Sequence, residues 1–243
     1  MSPSPAILEL RRYTLAPGRR DDLIALFDRE FVESQEALGL QIVGQFRDLD
    51  DPDQFVWLRG FADMPGRAAG LAAFYGGPVW QAHRAAANAT MLDSSNALLL
   101  RPAGPRGSFP APAAVRPAVG ATAQPSSLVT ATVYRLRRPA DAAFVRFFET
   151  QIVPALTEAG TAPIAAYQTH DVENNFPALP IRTESPAFIW FARFDDAQAH
   201  RLSEERLARS RGWTGALLPA LAQHFAKLAL VLRLAPTARS RLR

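Results

Sequence analysis

The first residues that could do chemistry lie in one short alternating segment. Ile7, Glu9, Arg11, Tyr13 and Leu15 fall at every second position, so in a strand they share one face, and Leu8, Leu10, Arg12 and Thr14 share the other. Glu9, Arg11 and Tyr13 side by side could orient a polar group of a ligand. A buried Glu–Arg pair is costly unless it is further hydrogen-bonded or used. Tyr134 occupies the matching place in a later strand, behind Thr130 and Thr132. The opposing reading is a strand rim with solvated charges.

Other chemistry is sparse. There is no cysteine, so disulfides and thiolate nucleophiles are excluded. The four histidines, His83, His170, His200 and His224, show no zinc-type spacing, and neither a metal site nor a cofactor is expected. His83 falls at helical spacing beside a packing face. His170 ends a strand next to a long hairpin, which makes it the better acid/base or haem-ligand candidate. Trp57, Trp80, Trp190 and Trp213 are either core or a ligand platform. Tyr75-Gly76-Gly77-Pro78 lacks the pattern of a phosphate loop and reads as a kink that turns Tyr75 and Trp80 towards the sheet.

These residues sit in a chain of 243 residues that is 48% hydrophobic and 21% charged, enough for a sizeable core. No apolar run is long enough to cross a membrane, and the first residues lack a signal-peptide pattern, so a cytoplasmic protein is expected. The net charge is +4, with Lys227 the single lysine. Arginines are interleaved with Asp and Glu, as in Arg19-Arg20-Asp21-Asp22, which argues against a nucleic-acid partner. The tail Arg239-Ser240-Arg241-Leu242-Arg243 is the one local basic cluster and reads as a frayed, solvated terminus.

The elements that must position the candidates come in two copies. Phe55-Val56-Trp57-Leu58-Arg59-Gly60-Phe61 resembles Phe188-Ile189-Trp190-Phe191-Ala192-Arg193-Phe194. Trp80 follows Trp57, and Trp213 follows Trp190, by the same 23 residues, and Leu98–Arg101 matches Leu230–Arg233. This is a tandem duplication. In the first copy the patterns predict strands over 6–15, 41–48, 54–62 and 96–101. Helices are predicted over 20–38 and over 64–91, the second broken at Gly76-Gly77-Pro78.

The order is βαββαβ, a ferredoxin-like unit with a four-stranded antiparallel sheet. The second copy adds ten residues to one hairpin, Val172 to Ala187, through Asn174-Asn175-Phe176-Pro177. That insertion is either a flap over a pocket or a plain surface loop. Prolines 102, 105, 110, 112, 117 and 125 mark an extended linker. The expected division is a first domain over 1–103, a linker over 104–126 and a second domain over 127–243.

The third strand of each copy is apolar on both faces, so each sheet has a second surface to bury. Mutual burial at about 25 cal/mol per Å² is the dominant gain available. The expected fold is therefore α+β, two four-stranded antiparallel sheets forming a pseudo-dimeric α/β barrel with an enclosed interior.

Ile7-Leu8-Glu9-Leu10-Arg11-Arg12-Tyr13-Thr14-Leu15-Ala16-Pro17-Gly18-Arg19 resembles the opening motif of the NIPSNAP family. So do Trp57 to Phe61, then Arg67, Phe74, Tyr75, Pro78, Val79 and Trp80, and the segment Met91 to Asn96. The match spans nearly all of the first copy. The second copy keeps Tyr134, Trp190 and Trp213 but lacks the Glu-Leu-Arg and Pro-Gly motifs. The resemblance implies the dimeric α/β-barrel superfamily, whose members include cofactor-free monooxygenases, haem-degrading enzymes and stress-response barrels. No catalytic set is carried over from it.

Three functions follow as expectations. The first is binding or transformation of a small, largely apolar or aromatic molecule inside the barrel, in a cavity of a few hundred Å³ as is usual for ligand pockets. If it is an enzyme, it is a cofactor-independent one, monooxygenase- or isomerase-like. Its ligand residues would be Glu9, Arg11, Tyr13, Trp57, Arg59, Tyr75, Trp80, Tyr134, His170 and Trp190. The second is a scaffold with a solid barrel. The third, haem binding or degradation, requires a histidine inside the cavity. A homo-oligomer of pseudo-dimers is compatible with all three.

Overall fold

A computed structural model describes residues 4–110, 115–183 and 186–243. Met1 to Pro3, Pro112 of the proline-rich segment, and Glu184 and Ser185 of the long hairpin lie outside the described residues.

The first half runs β1 (Ile7–Leu15), α1 (Arg20–Leu26), a π-helical turn (Phe27–Phe31), α2 (Val32–Glu36), β2 (Gln41–Asp48), β3 (Gln54–Phe61), α3 (Met64–Gly76), α4 (Pro78–Asn88) and β4 (Met91–Pro102). Gly39, at φ +81°, lets the chain leave α2 in the left-handed conformation that other residues avoid. Asp63 caps α3 by accepting from the Gly66 amide at 2.7 Å. Gly77 separates α3 from α4, and a Cβ there would lie 2.7 Å from the Ala73 carbonyl oxygen. The helix ends at Asn88, earlier than the sequence pattern predicts, and strand structure already begins at Met91.

The second half repeats the order: β5 (Leu128–Arg135), α5 (Ala142–Phe147), a π turn (Phe148–Ile152), α6 (Val153–Glu158), β6 (Pro163–Thr169), β7 (Ala187–Phe194), α7 (Ala197–Arg209), a third π turn (Trp213–Leu217), α8 (Leu218–Ala222) and β8 (Leu230–Pro236). Asp141 and Asp196 cap α5 and α7 as Asp63 caps α3.

The eight strands close into one barrel in the order β1-β3-β2-β8-β5-β7-β6-β4. The halves join by antiparallel pairing at two seams, β2 with β8 and β4 with β6, so no sheet edge is left open. The even-numbered face of β1 points inward. Leu8 and Leu10 meet Phe46, Val56, Leu58, Leu98 and Leu100 from their own half and Val129, Val133, Tyr167, Ile189, Phe191 and Leu234 from the other. These side chains fill the barrel axis. The expected ligand chamber is therefore not there: the interior is the packed apolar core that alternating strands produce when closed on themselves.

Two segments depart from the sequence reading. The proline-rich stretch is more than a spacer, because Phe109 turns into the barrel core against Phe191 (centroids 4.9 Å apart) and Tyr167 (5.5 Å). The C-terminal tail is docked rather than frayed. Arg239 is 2% exposed, donates to the Asp28 and Pro117 carbonyls and pairs with Glu33. Arg116 locks it by donating to the Arg239 carbonyl at 2.6 Å and to Glu36 at 2.8 Å.

Candidate functional site

The odd-numbered face of β1 points outward, under the helices of the first half. Register places Glu9 opposite Arg59 and Arg11 opposite Trp57, and Arg67 reaches in from the first turn of α3. All four ionisable side chains have zero exposure, so the solvated-rim reading is wrong.

Glu9 is the hub. Its Oε2 accepts from Arg59 Nη2 at 2.7 Å, Arg59 Nε at 3.2 Å and Arg11 Nη1 at 3.3 Å. Its Oε1 accepts from Arg67 Nε at 2.9 Å, with Arg67 Nη2 at 2.7 Å. Burial alone would raise the Glu9 carboxyl, but Arg59, Arg11 and Arg67 outweigh it and hold the group at about 2. Other guanidinium nitrogens find acceptors outside Glu9. Arg11 donates to the Tyr13 hydroxyl at 3.1 Å and the Ser94 carbonyl at 3.2 Å. Arg59 donates to Gln35 Oε1 at 2.9 Å, and Gln35 donates onward to the Phe31 carbonyl. Aromatic faces cover the cations: Arg59 lies 4.8 Å from the Trp57 ring centroid, and Arg67 lies 5.7 Å from that of Phe61.

Beside this cluster is a small cavity of about 30 Å³ lined by Tyr13, Phe31, Gln35, Trp57, Tyr75 and Trp80 among others. It has room for about one or two waters. Its walls are edge-on rings, with Tyr13–Trp57 centroids 5.9 Å apart and Tyr75–Trp80 centroids 4.9 Å apart. The Trp57 indole Nε1 is buried without a hydrogen-bond partner. Burial pushes the Tyr75 hydroxyl up, against the pull of Arg59.

The long hairpin of the second half covers this site. Asn174 and Asn175 accept from Arg67 Nη1 at 3.1 and 2.7 Å, and Asn175 donates to the Met64 carbonyl at 2.7 Å. Phe176 stacks on Tyr75, centroids 5.9 Å apart at 26°. Leu179 and Ile181 pack on the same core. The insertion is a flap, and it caps the opposite half.

The sequence candidates thus divide. Glu9, Arg11, Tyr13, Trp57, Arg59, Tyr75 and Trp80 come together. Tyr134 and Trp190 do not join them; they occupy the equivalent layer of the second half, packed with Phe144, Phe148 and Phe188. Closure of the barrel turns both tyrosine faces outward, onto opposite sides. His170 sits half-exposed just after β6, its amide donating to the Leu99 carbonyl, and does not line the cavity. Burial and Arg101 lower its pKa. No histidine lines the cavity, so the condition set for haem is not met there. Among the described residues no group of acids and histidines could hold a metal ion, and no helix is long and apolar enough to cross a membrane.

Gln35 and the Asn174–Asn175 clamp were missed by sequence reasoning, and Arg67 was visible only through its place in the family motif. A spacing signal existed for Arg67: it lies four residues after the Asp63 cap, one turn into the helix, where its amide bonds the Asp63 carbonyl.

The second half shows the same frame with the chemistry removed. The cross-strand pair Glu9–Arg59 becomes Thr130–Ala192, and Arg11–Trp57 becomes Thr132–Trp190. Arg67 becomes His200, whose amide bonds the Asp196 carbonyl in the same way. Burial lowers the His200 pKa.

Residues 8–104 match the family model described as NIPSNAP. Over the whole chain the fold is similar to a monooxygenase-like protein of Fusobacterium nucleatum, with 10% identity, a TM-score of 0.57, and 98% of this chain and 94% of that one covered. A monooxygenase-like protein of Lactobacillus acidophilus gives 12% identity, a TM-score of 0.54, and 96% and 94% coverage. A NIPSNAP-like domain protein of Burkholderia xenovorans is 26% identical over 43% of this chain and 90% of its own, with a TM-score of 0.39. No curated protein matches.

Proposed function

We propose, from the match of residues 8–104 to the NIPSNAP family model, that the protein binds or transforms a small, largely aromatic molecule between the sheet and helices of its first half. The observation that carries this reading is the aromatic cavity set against a fully buried Glu9–Arg11–Arg59–Arg67 cluster. Buried charge of this kind is expensive and is kept where it is used. The flap from the second half supplies a cover that can exclude water. A ring-sized ligand needs more than the present 30 Å³, so the site must open, and Tyr75, which lines the cavity and carries the Phe176 stack, is where the flap meets its wall. Barrels of the same architecture are described as monooxygenase-like, and oxygen uptake with electron-rich aromatic compounds is the first reaction to assay.

Native mass spectrometry of protein purified from its own host tests the binding reading. A retained small molecule, lost when Phe176 and Trp80 are replaced by alanine, is the expected result. Protein of bare chain mass, together with no saturation-transfer signal from an aromatic fragment set, would overturn it. The solid barrel interior favours a second reading, a scaffold, and that reading gains if both measurements are negative.

A further inference from the structure

We propose that the molecule bound at this site is an aromatic anion, with a carboxylate or an enolate or phenolate oxygen drawn to the buried arginines through Tyr13 and Gln35, which line the cavity and accept from Arg11 and Arg59. This rests on the small-molecule reading and deepens it.

Three guanidinium groups surround one carboxylate, all at zero exposure, which leaves two positive charges without a negative partner in the cluster. Arg67 turns its outer edge to the amide oxygens of Asn174 and Asn175, which are dipoles and not charges. The rings over Arg11, Arg59 and Arg67 offset only part of the cost of burying these ions.

Tyr75 does not supply the missing charge, because burial pushes its hydroxyl up and keeps it protonated.

The fold does not need these charges. The second half builds the same strands, caps and π turn with Thr130, Thr132, Ala192 and His200 at the equivalent places. The excess charge is therefore specific to the half that has the cavity and the flap. Trp57 lines the cavity and its buried Nε1–H has no acceptor, as is also true of Trp190 in the second half; only the first has a cavity beside it, and an anionic oxygen is a strong acceptor.

The test compares benzoate with benzamide, which share size and shape and differ in charge, by calorimetry on the full chain. Benzoate is expected to bind at least about tenfold more tightly than benzamide. The Arg59→Met variant should reduce benzoate affinity by about tenfold or more and leave benzamide nearly unchanged. If that variant does not fold, the wild-type ratio decides alone. Equal affinities, or benzamide binding without benzoate, would overturn the anion inference and leave the small-molecule reading standing. Neither compound binding at about 10 mM would overturn both. A tyrosinate absorption band in the unliganded protein at neutral pH would also sink the inference, because the protein would then carry its own counter-charge.

Discussion

Replacing Glu9 by Gln probes the cluster at its hub. The side chain keeps its size but loses the charge that three arginines share, and at least one amide N–H must then face a guanidinium. Removing one partner of a buried ion pair costs about 3–5 kcal/mol, because the other partner stays buried and uncompensated. For a chain of this length that corresponds to a fall in Tm of roughly 6–20 °C. A second signature is independent of that size. Glu9 is held at about 2 in the folded protein against 4.5 as its ordinary value. The unfolded chain therefore takes up the proton first as pH falls. The stabilisation is fully present above about pH 4.5 and is lost between there and about pH 2, and its size is about 3 kcal/mol. Urea melts of both proteins from pH 7 down to the acid limit read both effects. The two stability curves should converge as pH drops through that window. A Glu9→Gln protein within about 1 kcal/mol of wild type at pH 7, or curves that stay parallel in acid, would refute the account of the cluster.

Other perturbations separate the remaining parts. Asn175→Ala removes one of the two flap acceptors for Arg67 and the donor to Met64, so limited proteolysis within 171–183 should accelerate and stability should fall by about 1–3 kcal/mol; an unchanged cleavage rate would show that the flap is held elsewhere. Phe109→Ala should cost about 3–5 kcal/mol in chemical denaturation, since the ring packs on Phe191 and Tyr167; a cost under about 1 kcal/mol would return that segment to the status of a spacer. Deleting residues 237–243 should lower Tm clearly, because the Asp28 carbonyl and Glu33 lose Arg239 and Glu36 loses Arg241; an unaltered melt would restore the frayed-tail reading.

The repeat and its strand order were legible because Trp57 and Trp190, and Tyr13 and Tyr134, hold matching places in matching patterns. The polar face of β1 was legible too. Which way it pointed was not, since β3 is apolar on both faces and either could line the axis. In the closed barrel Phe55, Trp57 and Phe61 pack with Phe27, Phe31 and Phe74 under the helices, while Val56 and Leu58 join the interior. The tail was misread because its partners, Asp28, Glu33 and Glu36, stand at the far end of the sequence. The flap was visible as an insertion, but its target depended on the β4–β6 seam, where Arg182 donates its amide to the Ala97 carbonyl and steers the loop across.

Joining two barrel halves by a covalent tether removes the requirement that both be alike. A symmetric pair of identical chains must carry every costly group twice, and any extended hairpin must also appear twice. Here one copy has kept the arginines and the other has grown the cover. Titration of ligand should therefore saturate at one equivalent per polypeptide, and mutations in the two copies should fall into separate classes, those that alter recognition and those that alter access.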